Sequence, residues 1–447
     1  MMRVPIALLL CASVARGQWQ AGVAKVAITP TSPMWMSGYA ARTHPAEGTL
    51  HDLWAKALVL DDGQQGRIVL VTLDLVGIDR ALATAICQQL ADKHGLRREQ
   101  IALNCSHTHC GPVAGGTLTS MYFLDDAQQK YVADYTADLQ RKIVDVVGAA
   151  LAAKRPASVS FATGHADYAV NRRNNKEADV PRLREAGQLR GPVDHDVPVL
   201  AVRSTQNDAL LAVAFGYACH ATTLGFYQWC GDHPGFAMIE LEKNHPGAVA
   251  MFWAGCGADQ NPIPRRTVEL AQEYGHRLAV AVDAGLSAGA KPIAGTIATR
   301  YREIDLAFDK VPSRDEIVAD LASPNKYVVN RAKMLLAQLE SGQSIESSYP
   351  YPVQVWRLGP DLKWVLLGGE VVVDYALRLK SQFGPATTWV AGYTNDVMGY
   401  IPSERVLKEG GYEGGGAMVY YGHPSPWAAG LEQQIVDAAT VAAQRAE

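Results

Sequence analysis

The sequence predicts an α/β fold in one large catalytic-type domain, and three observations lead there. Short apolar runs rich in β-branched residues alternate with longer amphipathic ones along the chain, the rhythm of strands and helices packed in layers. No internal repeat, low-complexity stretch or Pro/Ser-rich linker divides the 447 residues. A hydrophobic fraction of 48% is ample for an extensive core.

The N-terminus, "MMRVPIALLLCASVARGQWQ", has a basic start, an apolar stretch from Val4 to Val14 and a small-x-small site at Ala15-Arg16-Gly17. That three-part pattern predicts a signal peptide over residues 1–17 and an exported protein, secreted or periplasmic, comprising residues 18–447. No later segment has the roughly 18 unbroken apolar residues that a transmembrane helix needs. A formal charge of −4 without long like-charge runs gives no reason to expect a nucleic-acid partner. The densest basic spot, "NRRNNK" (Asn171–Lys176), is short. Six cysteines follow the leader, too few for a disulfide scaffold in so long a chain, and their pairing does not follow from the sequence.

Helices are expected at Arg80–His94, Ala127–Ala153, Val268–Ala284, Arg314–Leu321, Lys326–Leu339 and Ala428–Ala446. The strands are more informative, because each runs into polar residues at its C-terminal end. "RIVLVTLDL" leads to Asp74, "IALNC" to His107 and His109, and "LLAVAFGYAC" to His220. "AVAMFWAGC" leads to Asp259 and Asn261, "KWVLLGG" to Glu370, and "TTWVAGYTND" to Tyr400. Polar residues recurring at the ends of buried strands predict one shared pocket, because a rigid sheet supports the loops there.

His107, His220 and Glu370 supply two imidazoles and a carboxylate from three strand ends, the donor set of a zinc site with one position left open. This set suits zinc better than iron or manganese. His107 and His109 stand two apart, so in an extended segment both project to one side and one of them can bind metal while the other faces substrate. Asp74 and Asp259 are expected to orient histidines or backbone, or to act as turn and cap residues. Rival motifs are weaker. "GLSAG" (Gly285–Gly289) matches a serine-hydrolase elbow, but it follows a long helical run, which makes Gly285 a helix C-cap. A zinc knot from Cys105, His107, His109 and Cys110 lacks the usual spacing, and there is no H-E-x-x-H helix.

The segment "SHTHCGP" resembles the signature of the neutral (alkaline, non-lysosomal) ceramidases, zinc amidases that cut ceramide into sphingosine and a fatty acid. The resemblance extends over most of the chain, through "AVNRR", "ACHATT", "GGEVVVDYALRL" and "NDVMGYIPSERVLKEGGYEGG". It implies layered sheets flanked by helices, with zinc held by His107, His220, Glu370 and Tyr400. It also implies that His109, Arg172 and Tyr412 line the reacting centre. The partner it implies is a small-molecule or lipid N-acyl substrate. The chain departs from the family pattern at Cys110, which stands for a serine, and at Val397, which stands for a tyrosine. Asn261 occupies the position of the serine that the family uses in catalysis. Residues 18–447 are expected to correspond to the family's catalytic part without its immunoglobulin-like C-terminal domain. On this reading metal-activated water attacks the amide and His109 moves the proton. Arg172, Tyr412 and Asn261 stabilise the oxyanion, since asparagine can donate a hydrogen bond but cannot be a nucleophile. The alternative is an exported, non-catalytic binding protein that keeps the fold and a zinc site.

Overall fold

The computed structural model describes residues 19–445, so the leader predicted over residues 1–17 lies outside the described residues. Two sheets stack face to face and helices cover their outer sides, giving four layers in the order α, β, β, α. The first sheet runs Val249–Ala254, Leu210–Tyr217, Asp196–Ser204, Arg155–His165, Gln20–Ala27, Trp54–Asp61, Arg67–Leu73 and Ile101–Cys105. Lys291–Ile293 also pairs with Arg155–His165. The second sheet runs Ile297–Ala307, Ser348–Leu358, Leu362–Leu367 and Thr388–Ala391. The layered α/β class expected from the alternating runs is the one this chain adopts.

Side-chain alternation distributes the core among the layers. In Trp54–Asp61, Ala55, Ala57 and Val59 pack toward the helices Arg80–His94 and Asp126–Ala152, whereas Leu58 and Leu60 enter the layer between the sheets. Four fully buried tryptophans, Trp253, Trp356, Trp364 and Trp389, fill that inner layer, and Trp364 stacks on Trp389 with ring centroids 3.9 Å apart. The helices Asp232–Asn244 and Val268–Ser287 cover the other half of the first sheet, and Val373–Phe383 and Leu431–Arg445 cover the second.

Helix ends follow local chemistry. Asp79, Asp125, Thr267 and Ser313 each accept a hydrogen bond from a backbone N–H of the first turn, and Gly95 closes its helix in the left-handed conformation. Two expected boundaries are corrected. The last helix, expected from Ala428, begins at Leu431, because the Ala428 N–H is bound to the Ala307 carbonyl, and its expected end at Ala446 lies outside the described residues. Gly285 does not cap its helix, which continues to Ser287 because Gly285 is buried against Val199 and leaves the turn intact. Ser287 therefore sits exposed in a last helical turn, not on a strand-to-helix elbow.

Three parallel strand pairs position the site: Arg67–Leu73 with Ile101–Cys105, Leu210–Tyr217 with Val249–Ala254, and Leu362–Leu367 with Thr388–Ala391. Their C-terminal ends converge, joined by the fully buried Asn104. Its Nδ2 donates to the Gly392 carbonyl (2.8 Å) and to Thr394 Oγ1 (3.0 Å), and its Oδ1 accepts from the Ala254 N–H (2.8 Å). Nearby, the Asp396 carbonyl accepts from the Gly369 N–H (2.7 Å), so Asp396 supports the segment that carries Glu370.

Asp396 Oδ2 accepts from the Tyr349 hydroxyl (2.7 Å), while its buried Oδ1 has no partner. Burial, then the neighbouring Asp79 carboxylate against the Tyr349 hydrogen bond, pushes the Asp396 carboxyl up to about 7. A carboxyl that holds its proton more tightly folded than unfolded makes stability fall as pH rises from its ordinary value through 7. Asp396→Asn, which mimics the protonated form, is therefore expected to stabilise the protein at pH 8 by roughly 1–3 kcal/mol and to have little effect near pH 4. Urea unfolding at the two pH values measures this; a difference independent of pH would refute it.

Candidate metal centre

His107 follows the strand Ile101–Cys105 and adopts a left-handed backbone, φ 59°. That conformation is uncommon outside glycine, though histidine is enriched among the exceptions. Its Nδ1 lies 2.5 Å from the carbonyl of Val76, and the Nδ1 of His220 lies 2.8 Å from the carbonyl of Gly257. A carbonyl accepts only, so both rings carry their proton on Nδ1 and present a bare Nε2 lone pair inward. These two Nε2 atoms lie 3.1 and 3.2 Å from Glu370 Oε2.

That carboxylate oxygen is buried and has no hydrogen-bond donor. Two lone pairs and a carboxylate oxygen at such distances repel unless a cation lies among them. Protonation of His220 is disfavoured: burial, then the Arg172 charge, lowers it to about 4. Burial acts to raise the Glu370 carboxyl, and positive charge on the side of His107 and His220 outweighs it and holds the group well below the usual carboxylate range; with Nε2 bare on both rings, a cation among them is what supplies that charge. The donor chemistry fits a divalent metal, for which neutral imidazole nitrogen and carboxylate oxygen are ordinary ligands.

His109 completes a buried cluster with His107 and His220 that can hold a metal ion. Its Nε2 lies 3.2 Å from His107 Nε2, and its Nδ1 has no partner. Its ring lies against Tyr39, centroids 4.6 Å apart, and directly over Gly38. A Cβ at Gly38 would stand 2.5 Å from His109 Cγ, so only glycine, here at φ 93°, leaves room for the imidazole. Burial and then the neighbouring His107 and His220 lower His109 well below the ordinary histidine range, which keeps it neutral.

Tyr400 pairs in parallel with Glu370 through a two-residue strand, and its hydroxyl lies 3.3 Å from His220 Nε2. Arg172 Nη2 donates to that hydroxyl (3.1 Å), Nη1 to Asn261 Oδ1 (3.3 Å) and Nε to Glu413 (2.7 Å). Burial opposes the Arg172 charge, yet Tyr400 and Glu413 hold its pKa well above the usual range. The antiparallel pairing of Gln260–Pro262 with Ala169–Asn171 brings Asn261 and Arg172 together. With its Oδ1 taken by Arg172, Asn261 has an Nδ2 group that meets no acceptor among the described residues. Tyr412 lies edge-on to Tyr400, 5.2 Å between centroids, and is 45% exposed.

All eight residues singled out in the sequence thus converge on one location. Asp74 and Asp259 take the backbone role: Asp74 accepts from the Trp54 N–H and Asp259 from the Val373 N–H and Asn171 Nδ2, and neither touches an imidazole. Sequence reasoning missed Tyr421, whose hydroxyl donates to Glu370 Oε1, as well as Gly38 and Glu413. Glu413 directly follows Tyr412, so a signal for it was present; nothing in the pattern around Tyr421 distinguished it.

The N-terminal half carries a match to the family described as neutral/alkaline non-lysosomal ceramidase, N-terminal, over residues 19–262, more than half of the chain. The chain belongs to this family. Its fold is similar to that of the neutral ceramidase from Pseudomonas aeruginosa, with a TM-score of 0.72 and 19% identity over 96% of this chain and 75% of the other. It is also similar to a solved structure described as ceramidase complexed with C2, with a TM-score of 0.73 and 18% identity over 96% and 76% of the two chains. Glu370, Tyr400 and Tyr412 lie beyond the matched segment, so their place in the site is a matter of this structure's geometry.

Partners that orient a metal-binding carboxylate commonly contribute ~10–100-fold to metal affinity. Tyr421→Phe is expected to weaken metal retention by a factor in that range while leaving the fold unchanged. Chelator competition followed by metal analysis tests it, and unaltered retention would remove Tyr421 from the site.

Proposed function

We propose that this protein is an exported zinc-dependent amide hydrolase of the ceramidase type, cleaving the N-acyl bond of ceramide or a related N-acyl substrate. The observation that carries the reading is the convergence of two bare Nε2 lone pairs and an unpartnered Glu370 oxygen in a buried site rimmed by hydrogen-bond donors. His107, His220, Glu370 and Tyr400 would hold the zinc. When bound, zinc polarises a substrate carbonyl and acidifies water at neutral pH.

The remaining steps belong to side chains. His109, neutral and with its Nε2 on the side of His107, accepts the proton of the attacking water and returns it to the leaving amine. Arg172, the free Nδ2 of Asn261 and the Tyr412 hydroxyl donate to the oxygen that gains charge. Glu413 takes Arg172 Nε and Arg173 Nη1 in hydrogen bonds and so fixes the guanidinium in place. An aromatic track supports an acyl-chain substrate. From Tyr412 it passes to Tyr420 (6.3 Å), Tyr327 (4.9 Å) and Phe123 (5.9 Å), which is half exposed.

A second reading, a non-catalytic binding protein with the same zinc site, is favoured by one observation: asparagine stands at position 261, where the family resemblance expects a serine. His109→Ala separates the two. For a hydrolase, turnover of N-acyl substrates should fall by ~10²–10⁴-fold with zinc content unchanged. Asn261→Ala should lower kcat by ~10²–10³-fold. Release of amine from a panel that includes long-chain ceramide is the readout. A wild-type protein that binds zinc but turns over nothing in the panel favours the binding-only reading. Phe123→Ala should raise KM for long-chain substrates more than for short-chain ones, and an equal effect on both would separate the aromatic track from acyl recognition.

A further inference from the structure

Cys110 lies one residue after His109, and Cys230 lies ten after His220. Both are fully buried in the same apolar cluster. The Cys230 N–H donates to the Cys110 carbonyl at 3.1 Å. Thr108 ties the same two segments: its Oγ1 donates to the Cys230 carbonyl (2.8 Å) and accepts from the Cys110 N–H (3.1 Å). An N–H···O=C link of that length holds the two Cα atoms to no more than about 7 Å apart. Disulfides span Cα separations of ~4.4–6.8 Å, so the backbone is already placed for one. The side chains face each other as well, for the Cys110 side chain is the leading cause, ahead of burial, of a Cys230 thiol pKa raised well above the ordinary range. Both thiols are free in the structure.

We propose that Cys110 and Cys230 are oxidised to an intramolecular disulfide that ties the His107–His109 turn to the segment following His220. The oxidant is an external disulfide of the glutathione or protein type. The thiolate of one cysteine attacks a sulfur of that disulfide and expels one thiol. The thiolate of the second cysteine then attacks the mixed disulfide and expels the other. Two external thiols thus carry away two electrons and two protons, and one S–S bond forms within the chain. The reaction takes place during folding, before the two thiols are enclosed. The bond closes a loop that includes His220, so it restrains the relative movement of the two histidine-bearing segments. Reduction therefore loosens the metal site without removing any of its side chains.

The full chain is folded in a mixture of reduced and oxidised glutathione, unfolded without reductant in the presence of an alkylating agent, digested and mapped. The expected result is one Cys110–Cys230 linked peptide lighter by two hydrogens, with Cys11, Cys87, Cys105, Cys219 and Cys256 alkylated. Alkylation of both Cys110 and Cys230, or linkage of a different pair, overturns the proposal. This arm is independent of the proposed hydrolase activity. A second arm rests on the metal site alone: zinc transfer to a chelator should be several-fold faster after reduction. A Cys110→Ser/Cys230→Ser double variant should transfer zinc at the fast rate with or without reductant. Equal rates for the oxidised and reduced wild type would overturn the claim that the bond restrains the metal site.

Discussion

A neutral imidazole has one proton, and the carbonyls of Val76 and Gly257 take it on Nδ1 of His107 and His220. Everything at the site depends on this assignment, because it turns both Nε2 lone pairs toward Glu370. The backbone is shaped to permit it. His107 adopts a left-handed conformation, and Gly257 is packed so closely that a Cβ would stand 2.5 Å from the Cys219 amide nitrogen. The left-handed conformation of His107 costs on the order of 1–3 kcal/mol and persists where the surroundings over-determine it. Here the surroundings are two stacked sheets whose parallel pairs end together.

The sheets also explain how so many polar groups are buried without destabilising the molecule. Polar side chains at the junction pair with backbone and with one another: Asn104 bonds the Gly392 carbonyl, the Ala254 N–H and Thr394 Oγ1, and Asp259 accepts from the Val373 N–H and from Asn171 Nδ2. Buried atoms without partners occur at several places, among them Trp253 Nε1 in the inner layer and Asp396 Oδ1, and at the candidate metal centre Glu370 Oε2 is one of them. Unpaired buried groups are costly, and what sets Glu370 Oε2 apart is that the Nε2 atoms of His107 and His220 converge on it at 3.1 and 3.2 Å, so that acceptors face one another around a position for a ligand that is not protein.

The fold class, the course of the helices Arg80–His94 and Lys326–Glu340, and the strand Ile101–Cys105 were legible because their periodicity and caps are local. The helix Asp232–Asn244 was not, since it opens with "DHPG", residues that read as a turn, and only its packing on Val249–Ala254 and Val268–Ser287 keeps it helical. Glu370, His107 and His220 were legible because each follows a buried apolar run. Tyr400 was placed at a strand end, but its role as a ligand, like the role of Tyr412, entered through family resemblance alone, as a tyrosine near a strand end is ordinary. Tyr421 and Gly38 were illegible for a different reason. Their roles depend on tertiary approach, a phenol reaching a carboxylate 51 positions away and a missing Cβ under an imidazole.

Asn261 is where the chemistry of this chain departs most from its resemblance. A serine at that position could attack a carbonyl or donate to it, whereas asparagine can only donate. Its Oδ1 is committed to Arg172 Nη1, which orients the amide so that Nδ2 is the free end. An alanine or valine there would leave Arg172 one acceptor short, and an aspartate would add charge where the transition state needs a donor. On the proposed reading the asparagine retains electrostatic stabilisation while giving up covalent catalysis. On that reading the attacking oxygen comes from water, and the proton it releases passes to His109, the neutral imidazole whose Nε2 lies on the side of His107.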